Sequence, residues 1–399
     1  MSYQRTHHLL APGPVNVARN VADALTLADI CHREDEFEHL LVSVTGRLLE
    51  VAALDPSRYA AVVITGSGTA ANEAVLSSVV ERGGAVVALS NGEFGERLAD
   101  ISKAHCEVTF HIEHGWGAPL ELERLERVLA ANEISLVTMV HHETSSGMLN
   151  PVAEVGAICA RHGVRLHVDA VSSFGSDRID MEACGITFMT SSAGKALASY
   201  PGLSVVFGAH SAFAGLVHRA RTRYLDLGRH YRMAQERHQT PNTPAVPLFM
   251  ALDQALANIL AEGMEARAER LAALQAHLRD RLGGLGLEPL LGADVPQSNV
   301  LTTVQLPEEI SYEALRLSLR ARGFVVYGGK GPFEGRVFQV SAIGAIDEAI
   351  LDAFFVALGE SLETLRAEAA SRCDRPIPSE SGMPDASHAL PSARAPSAA

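Results

Sequence analysis

Seven short apolar runs rich in β-branched residues constrain this chain more than any other feature. They fall at 61–65, 85–89, 108–112, 134–140, 164–168, 187–189 and 203–207. Helical stretches separate most of them, ending near 81 and 104 and spanning 120–131 and 152–161. Strands that are apolar at every position are buried on both faces, and their alternation with helices builds a mostly parallel α/β sheet. Ligands in such sheets bind beyond the carboxyl ends of the strands. Gly66, Asn91, Glu143, Asp169 and Ser191 all fall there, which predicts a single site.

Two residues of that set carry chemistry. Asp169 closes the run 164–168, and Lys195 stands 26 positions later, after Ser191-Ser192-Ala193-Gly194. Alone, Asp169 would pass for a helix cap and Lys195 for a solvated surface residue. On a loop between buried strands, a lysine has a sharper use. Its amine, with the pKa lowered by its surroundings, attacks an aldehyde carbonyl to form an imine. An acid at a strand end can pair with a pyridinium nitrogen. Together they are the two groups that a pyridoxal 5'-phosphate (PLP) site requires. Gly66-Ser67-Gly68-Thr69, between a strand and a helix, adds backbone amides suited to a phosphate, although such turns also arise for geometry alone.

Composition excludes other classes. A formal net charge of -14 argues against nucleic acid, which needs clustered basic residues. No apolar run approaches the ~20 residues that span a bilayer, and the N-terminus has no signal-peptide core. Five scattered cysteines with no CxxC pair favour a reducing cytoplasm.

Past the sheet, helical periodicity runs from 247 to 282. An α+β pattern follows, with strands at 299–304, 323–327 and 336–340 and helices at 312–321 and 348–365. The expected organisation is an N-terminal active-site segment (1–20), a large domain (21–282), a small C-terminal domain (283–368) and a Pro/Ser/Ala-rich disordered tail (369–399).

LLAPGPV (9–15), DICHRE (29–34), GSGTAANEA (66–74), SNGEFGER (90–97), HHETSSGMLNP (141–151), VDAVSSFG (168–175) and SSAGK (191–195) occur in this order. In this the chain resembles the fold-type I PLP enzymes of the class V aminotransferase group. Within the group it is most similar to the 2-aminoethylphosphonate–pyruvate transaminases, over about 9–365. The resemblance implies a seven-stranded large domain and a PLP cofactor. It also implies transfer of an amino group between 2-aminoethylphosphonate, or a similar small amine, and pyruvate. An alanine–glyoxylate or serine type of transaminase, or a PLP-dependent lyase, is the alternative.

By the same resemblance Lys195 holds the cofactor and shuttles the proton, and Asp169 pairs with the ring nitrogen. Ser67, Gly68 and Thr69 form the phosphate loop, Phe94 stacks on the pyridine and Thr144 lies near the phenolic oxygen. Thr240 and Thr243 would reach the phosphate from a second subunit, making the enzyme a homodimer with shared sites. His141 and His142 are expected to be structural hydrogen-bonders at a strand end. Two positions depart from the pattern. Gly194 stands where relatives carry Asn or Gln, and Gln339 stands where they carry the arginine that grips the substrate's acid group. Arg336, Lys330 and Arg19 are the candidates to replace that arginine.

Overall fold

The computed structural model describes residues 7–216 and 221–373, save the side chains of 372 and 373. All seven apolar runs are strands of one sheet: β1 (Tyr59–Thr65), β2 (Ala85–Ser90), β3 (Val108–Glu113), β4 (Ile134–Val140), β5 (Arg165–Asp169), β6 (Phe188–Ser192) and β7 (Leu203–Ala209). Their order across the sheet is β1-β7-β6-β5-β4-β2-β3. Only β7 runs against its neighbours; the other pairings are parallel.

Adjacent residues of one strand enter different cores. Val63, Val87, Val137 and Val205 pack with helices α1 (Asp35–Val51) and, further on, Val246–Glu262. Val62, Val86, Leu136 and Val206 pack on the other face with α2 (Gly68–Val79) and α3 (Glu93–His105). Both faces are covered, so these strands are predominantly apolar on both faces, with Thr138 and Ser204 among the few buried polar positions. Each fully buried aliphatic side chain stabilises the fold by about 1.5–3 kcal/mol.

The helical stretch expected over 247–282 is two helices, α4 (Val246–Glu262) and α5 (Met264–Gly284). Gly263 interrupts it at φ +83°, a conformation that side chains resist. The buried stripe of α5, Leu271, Leu274, Leu278 and Leu282, belongs to a second core with Phe338, Val340, Phe354 and Leu358. The boundary expected at 282 therefore falls after a helix already packed in that core. A three-stranded antiparallel sheet forms its floor: β8 (Leu301–Gln305), β10 (Val337–Ser341) and β9 (Tyr327–Gly328), in that order. Helix α6 (Tyr312–Ala321) and the closing helix α7 (Glu348–Cys373) cover it.

Leu10 and Val15 of the N-terminal segment also enter the second core. His8–Leu9 pairs with Phe324–Val325, so the segment crosses to the C-terminal unit. Helix α7 continues to Cys373, beyond the 365 expected, and takes in the start of the predicted tail. The rest of that tail lies outside the described residues. Among the described residues, no helix is long and apolar enough to cross a membrane.

Candidate active site

Asp169 ends β5 with both carboxylate oxygens held. The side-chain amide of Asn72 donates to Oδ2 at 2.6 Å, and the Val171 backbone N–H donates to Oδ1 at 2.8 Å. Asn72, on the second turn of α2, is itself fixed by Thr190 of the neighbouring strand, whose hydroxyl donates to its carbonyl oxygen at 2.5 Å. Burial raises the Asp169 pKa, opposed by these hydrogen bonds and by the charges of Lys195 and Arg97.

Lys195 is one of three lysines in the chain, with Lys103 and Lys330. Its Nζ donates to Ser172 Oγ at 2.7 Å and lies 5.2 Å from the Phe94 ring centroid. Burial lowers its pKa to about 8, an amine far easier to deprotonate than a free lysine. Ser172 also pairs with Thr144 Oγ1 at 2.6 Å, linking the lysine to the 141–146 turn. Glu143 of that turn accepts from the backbone of Gly95 at 3.0 Å and of Ser145 at 3.1 Å. A buried carboxylate thus caps the first turn of α3 and fixes Phe94 on it.

These groups surround one cavity of about 270 Å³, lined by Ser67, Gly68, Thr69, Asn72, Phe94, Arg97, His142, Thr144, Asp169, Ser172 and Lys195. Gly13 and Pro14 of the N-terminal segment close one side. A Cβ at Gly13 would sit 3.0 Å from Cγ of Lys195. A larger cavity of about 750 Å³, between 51–59, 174–183 and 264–268, contains neither Lys195 nor Asp169.

The two histidines part company. His141 Nδ1 pairs with Ser173 Oγ at 2.9 Å, the structural role expected of it. His142 is buried and lines the cavity, yet neither ring nitrogen has a hydrogen-bond partner among the described residues. Burial holds it neutral, its pKa pushed well below the usual range, with Lys195 and His141 adding to the effect. It therefore keeps both a donor and an acceptor free for a polar ligand.

Six expected residues come together around Lys195: Asp169, Ser67, Gly68, Thr69, Phe94 and Thr144. Four do not reach the cavity. Thr240 donates to the carbonyl of Asn242 at 2.8 Å within its own loop, and Thr243 is exposed. Gln339 is turned away, its amide donating to the Thr144 carbonyl at 2.6 Å and to Thr303 Oγ1 at 3.2 Å. Arg336 is exposed at the start of β10. Gly194 is explained by packing: a Cβ there would lie 2.7 Å from the Pro201 backbone, so Asn or Gln does not fit. Asn72, Arg97, His142 and Ser172 escaped the sequence reading as site residues. Their only signal was position within the quoted motifs, Arg97 lying one helical turn past Phe94. Of the four cysteines with described side chains, none lines the cavity.

The cavity fits PLP on its own terms. An anion-suited helix N-terminus, a buried acid held by two donors, a lysine of lowered pKa and an unpartnered imidazole face one space. The class-V aminotransferase family model matches residues 50–333. The chain is 32% identical over 345 residues to an uncharacterised aminotransferase of Methanocaldococcus jannaschii, covering 85% of this chain and 88% of that one. It is 33% identical over 372 residues to a 2-aminoethylphosphonate–pyruvate transaminase of Pseudomonas aeruginosa, covering 91% and 98%. Among solved structures, an alanine–glyoxylate aminotransferase from Nostoc sp. superposes with a TM-score of 0.84 at 29% identity, covering 90% and 96%. The chain belongs to the class-V aminotransferases, and is a PLP-dependent transaminase of fold type I.

Proposed function

We propose that the enzyme moves an amino group between 2-aminoethylphosphonate, or a similar small acidic amine, and pyruvate, giving phosphonoacetaldehyde and alanine. The observation that carries the reading is the convergence of Lys195, Asp169 and the Ser67–Thr69 turn on one cavity. When bound, PLP supplies the electron sink that makes a proton on the substrate carbon removable. Asp169, fixed by Asn72 and Val171, holds the proton on the cofactor's ring nitrogen. Lys195 at a pKa of about 8 holds the cofactor when no donor is present, and its freed amine carries the proton between carbon atoms. Ser172 steers that amine, and Phe94 gives the flat ring its stacking surface. Ser67, Gly68 and Thr69 receive the phosphate.

In this reading the working unit is a cytoplasmic homodimer. Thr243, exposed in its own chain, and Thr240 beside it reach the phosphate of the other copy. The orientation of Gln339 favours a second reading, a transaminase of the alanine–glyoxylate or serine type, or a lyase on a related amine.

Mixing the PLP-loaded protein with 2-aminoethylphosphonate, alanine, serine or taurine, without acceptor, separates these. The first reading predicts rapid loss of the visible band with 2-aminoethylphosphonate, and its return with pyruvate. Bleaching by alanine or serine alone would move the assignment to the second reading. Release of ammonia would make the enzyme a lyase.

A further inference from the structure

Glu93, the first residue of α3, holds two cations that reach it from opposite sides of the cleft. Arg97, one turn along the same helix, donates to Oε1 at 2.7 Å. Lys330, just past β9 in the C-terminal unit, lies 2.9 Å from Oε2 and 3.0 Å from Oε1. Both cations sit over the Phe94 ring, at 4.7 Å and 5.4 Å from its centroid, where Lys195 Nζ also lies at 5.2 Å. Two positive charges against one negative leave the cluster cationic. It is close enough for Arg97 and Lys330 to add to the lowering of the Lys195 pKa that burial begins.

Other cations are badly placed to meet an acid group here. Arg336 is exposed outside the cavity, and Arg19 is paired with Asp23 on the surface at 2.8 Å. Position 339 is neutral and its amide is occupied by backbone carbonyls. Arg97 lines the cavity itself; Lys330 is exposed outside the lining, as Arg336 is, but is held against the cavity wall by Glu93 and the Phe94 ring. Glu93 engages one of its five N–H donors, and Lys330 has three, so both retain donors for a second anion.

We propose that Arg97 and Lys330, bridged by Glu93, receive the acid group of the amino donor and of the acceptor, replacing an arginine on the C-terminal strand. The ligand class is a short amine, or its carbonyl counterpart, bearing a carboxylate or phosphonate. Arg97 supplies the planar fork suited to either group, and Lys330 a point charge from the facing wall. The inference rests on the transaminase reading.

The test uses PLP-loaded wild type, R97Q and K330Q, following loss of the visible band against concentration of alanine and of 2-aminoethylphosphonate. A lost charge-assisted contact predicts that half-saturation by an acidic donor rises roughly 10–100-fold in R97Q and less in K330Q. The rise in half-saturation should exceed the change in limiting rate, which each variant also shifts because Arg97 and Lys330 help to lower the Lys195 pKa. A larger rise with 2-aminoethylphosphonate than with alanine marks a phosphonate subsite, and the reverse a carboxylate subsite. Calorimetric titration with acetate and with methylphosphonate is a second arm that needs no turnover; weaker binding of either in both variants is expected. Unchanged saturation and unchanged anion binding in both variants would overturn the proposal. So would loss of PLP from R97Q with donor saturation intact, which would assign Arg97 to the cofactor. If wild type is not bleached by any donor, the transaminase reading fails, while the anion titrations still decide the subsite.

Discussion

The two walls of the cleft treat their polar groups differently. On the sheet side, Asp169 is held by donors yet opens onto the cavity, Lys195 donates to Ser172, and His142 has no hydrogen-bond partner among the described residues. On the C-terminal side, Gln339 donates to the carbonyls of Thr144 and Ser145 and to Thr303, and Ser341 donates to the Val300 carbonyl at 2.6 Å. A ligand thus meets available hydrogen-bonding groups on the sheet wall and satisfied ones on the C-terminal strand, where Lys330 beyond β9 is the cation with donors to spare. Burying an unpaired polar group costs about 1–3 kcal/mol, so groups left unpaired mark where a ligand is expected. The C-terminal strand braces the 144–145 turn rather than gripping substrate.

The largest effect that would break this contrast lies at Lys195. Replacing it with alanine should lower the rate of amino transfer by roughly 10³-fold or more, because nucleophile and proton carrier vanish together. Steady-state alanine formation measures it; turnover within tenfold of wild type, with no amine added, would contradict the assignment.

The joint between the walls gives a smaller effect. Asp177 is buried, accepting from Ser298 Oγ at 2.6 Å and from the Asn299 backbone N–H at 2.9 Å, and burial raises its pKa to about 6. Its folded pKa lies above its unfolded one, so the protonated form is the favoured native form. The stability it contributes is full below about pH 4 and is lost as pH rises through about 6. Against D177N, the wild type should lose roughly 3 kcal/mol between pH 4 and pH 8, at 1.36 kcal/mol per pKa unit. Urea unfolding of both proteins at the two pH values reads this; parallel profiles would mean that Asp177 is ionised in the fold.

Smaller again is Q339R. If the C-terminal strand only braces, the larger charged side chain should cost about 1–3 kcal/mol of stability and leave donor saturation no better than wild type. A tenfold gain in donor affinity would return the acid-binding role to position 339.

Much of the sheet side was legible in the sequence, because buried parallel strands are predominantly apolar on both faces and their ends collect the site. Lys195 and Asp169 stood out because an acid and an amine at two such ends have few bland uses. Asn72 was not legible as the partner of Asp169, since 97 residues separate them and only packing of α2 on the sheet joins them. His142 read as structural because a lone histidine usually is; its lack of a partner is a property of the fold. At 339 the residue type was a visible departure, but its direction was not, because β10 sets that by its register with Thr303 on β8. The break at Gly263 was hidden by apolar periodicity continuing on both sides of it.

The most direct test of the central claim is where PLP attaches. The chain has three lysines, and of these Lys195 alone lines the cavity with Asp169 and Phe94. PLP-loaded protein would be reduced with borohydride at several pH values, digested and mapped by mass spectrometry. One pyridoxyl adduct is expected, on Lys195, with the rate of PLP capture by the cofactor-free protein rising as pH passes through about 8, where the amine loses its proton. An adduct on Lys330 or Lys103 with Lys195 unmodified would contradict it.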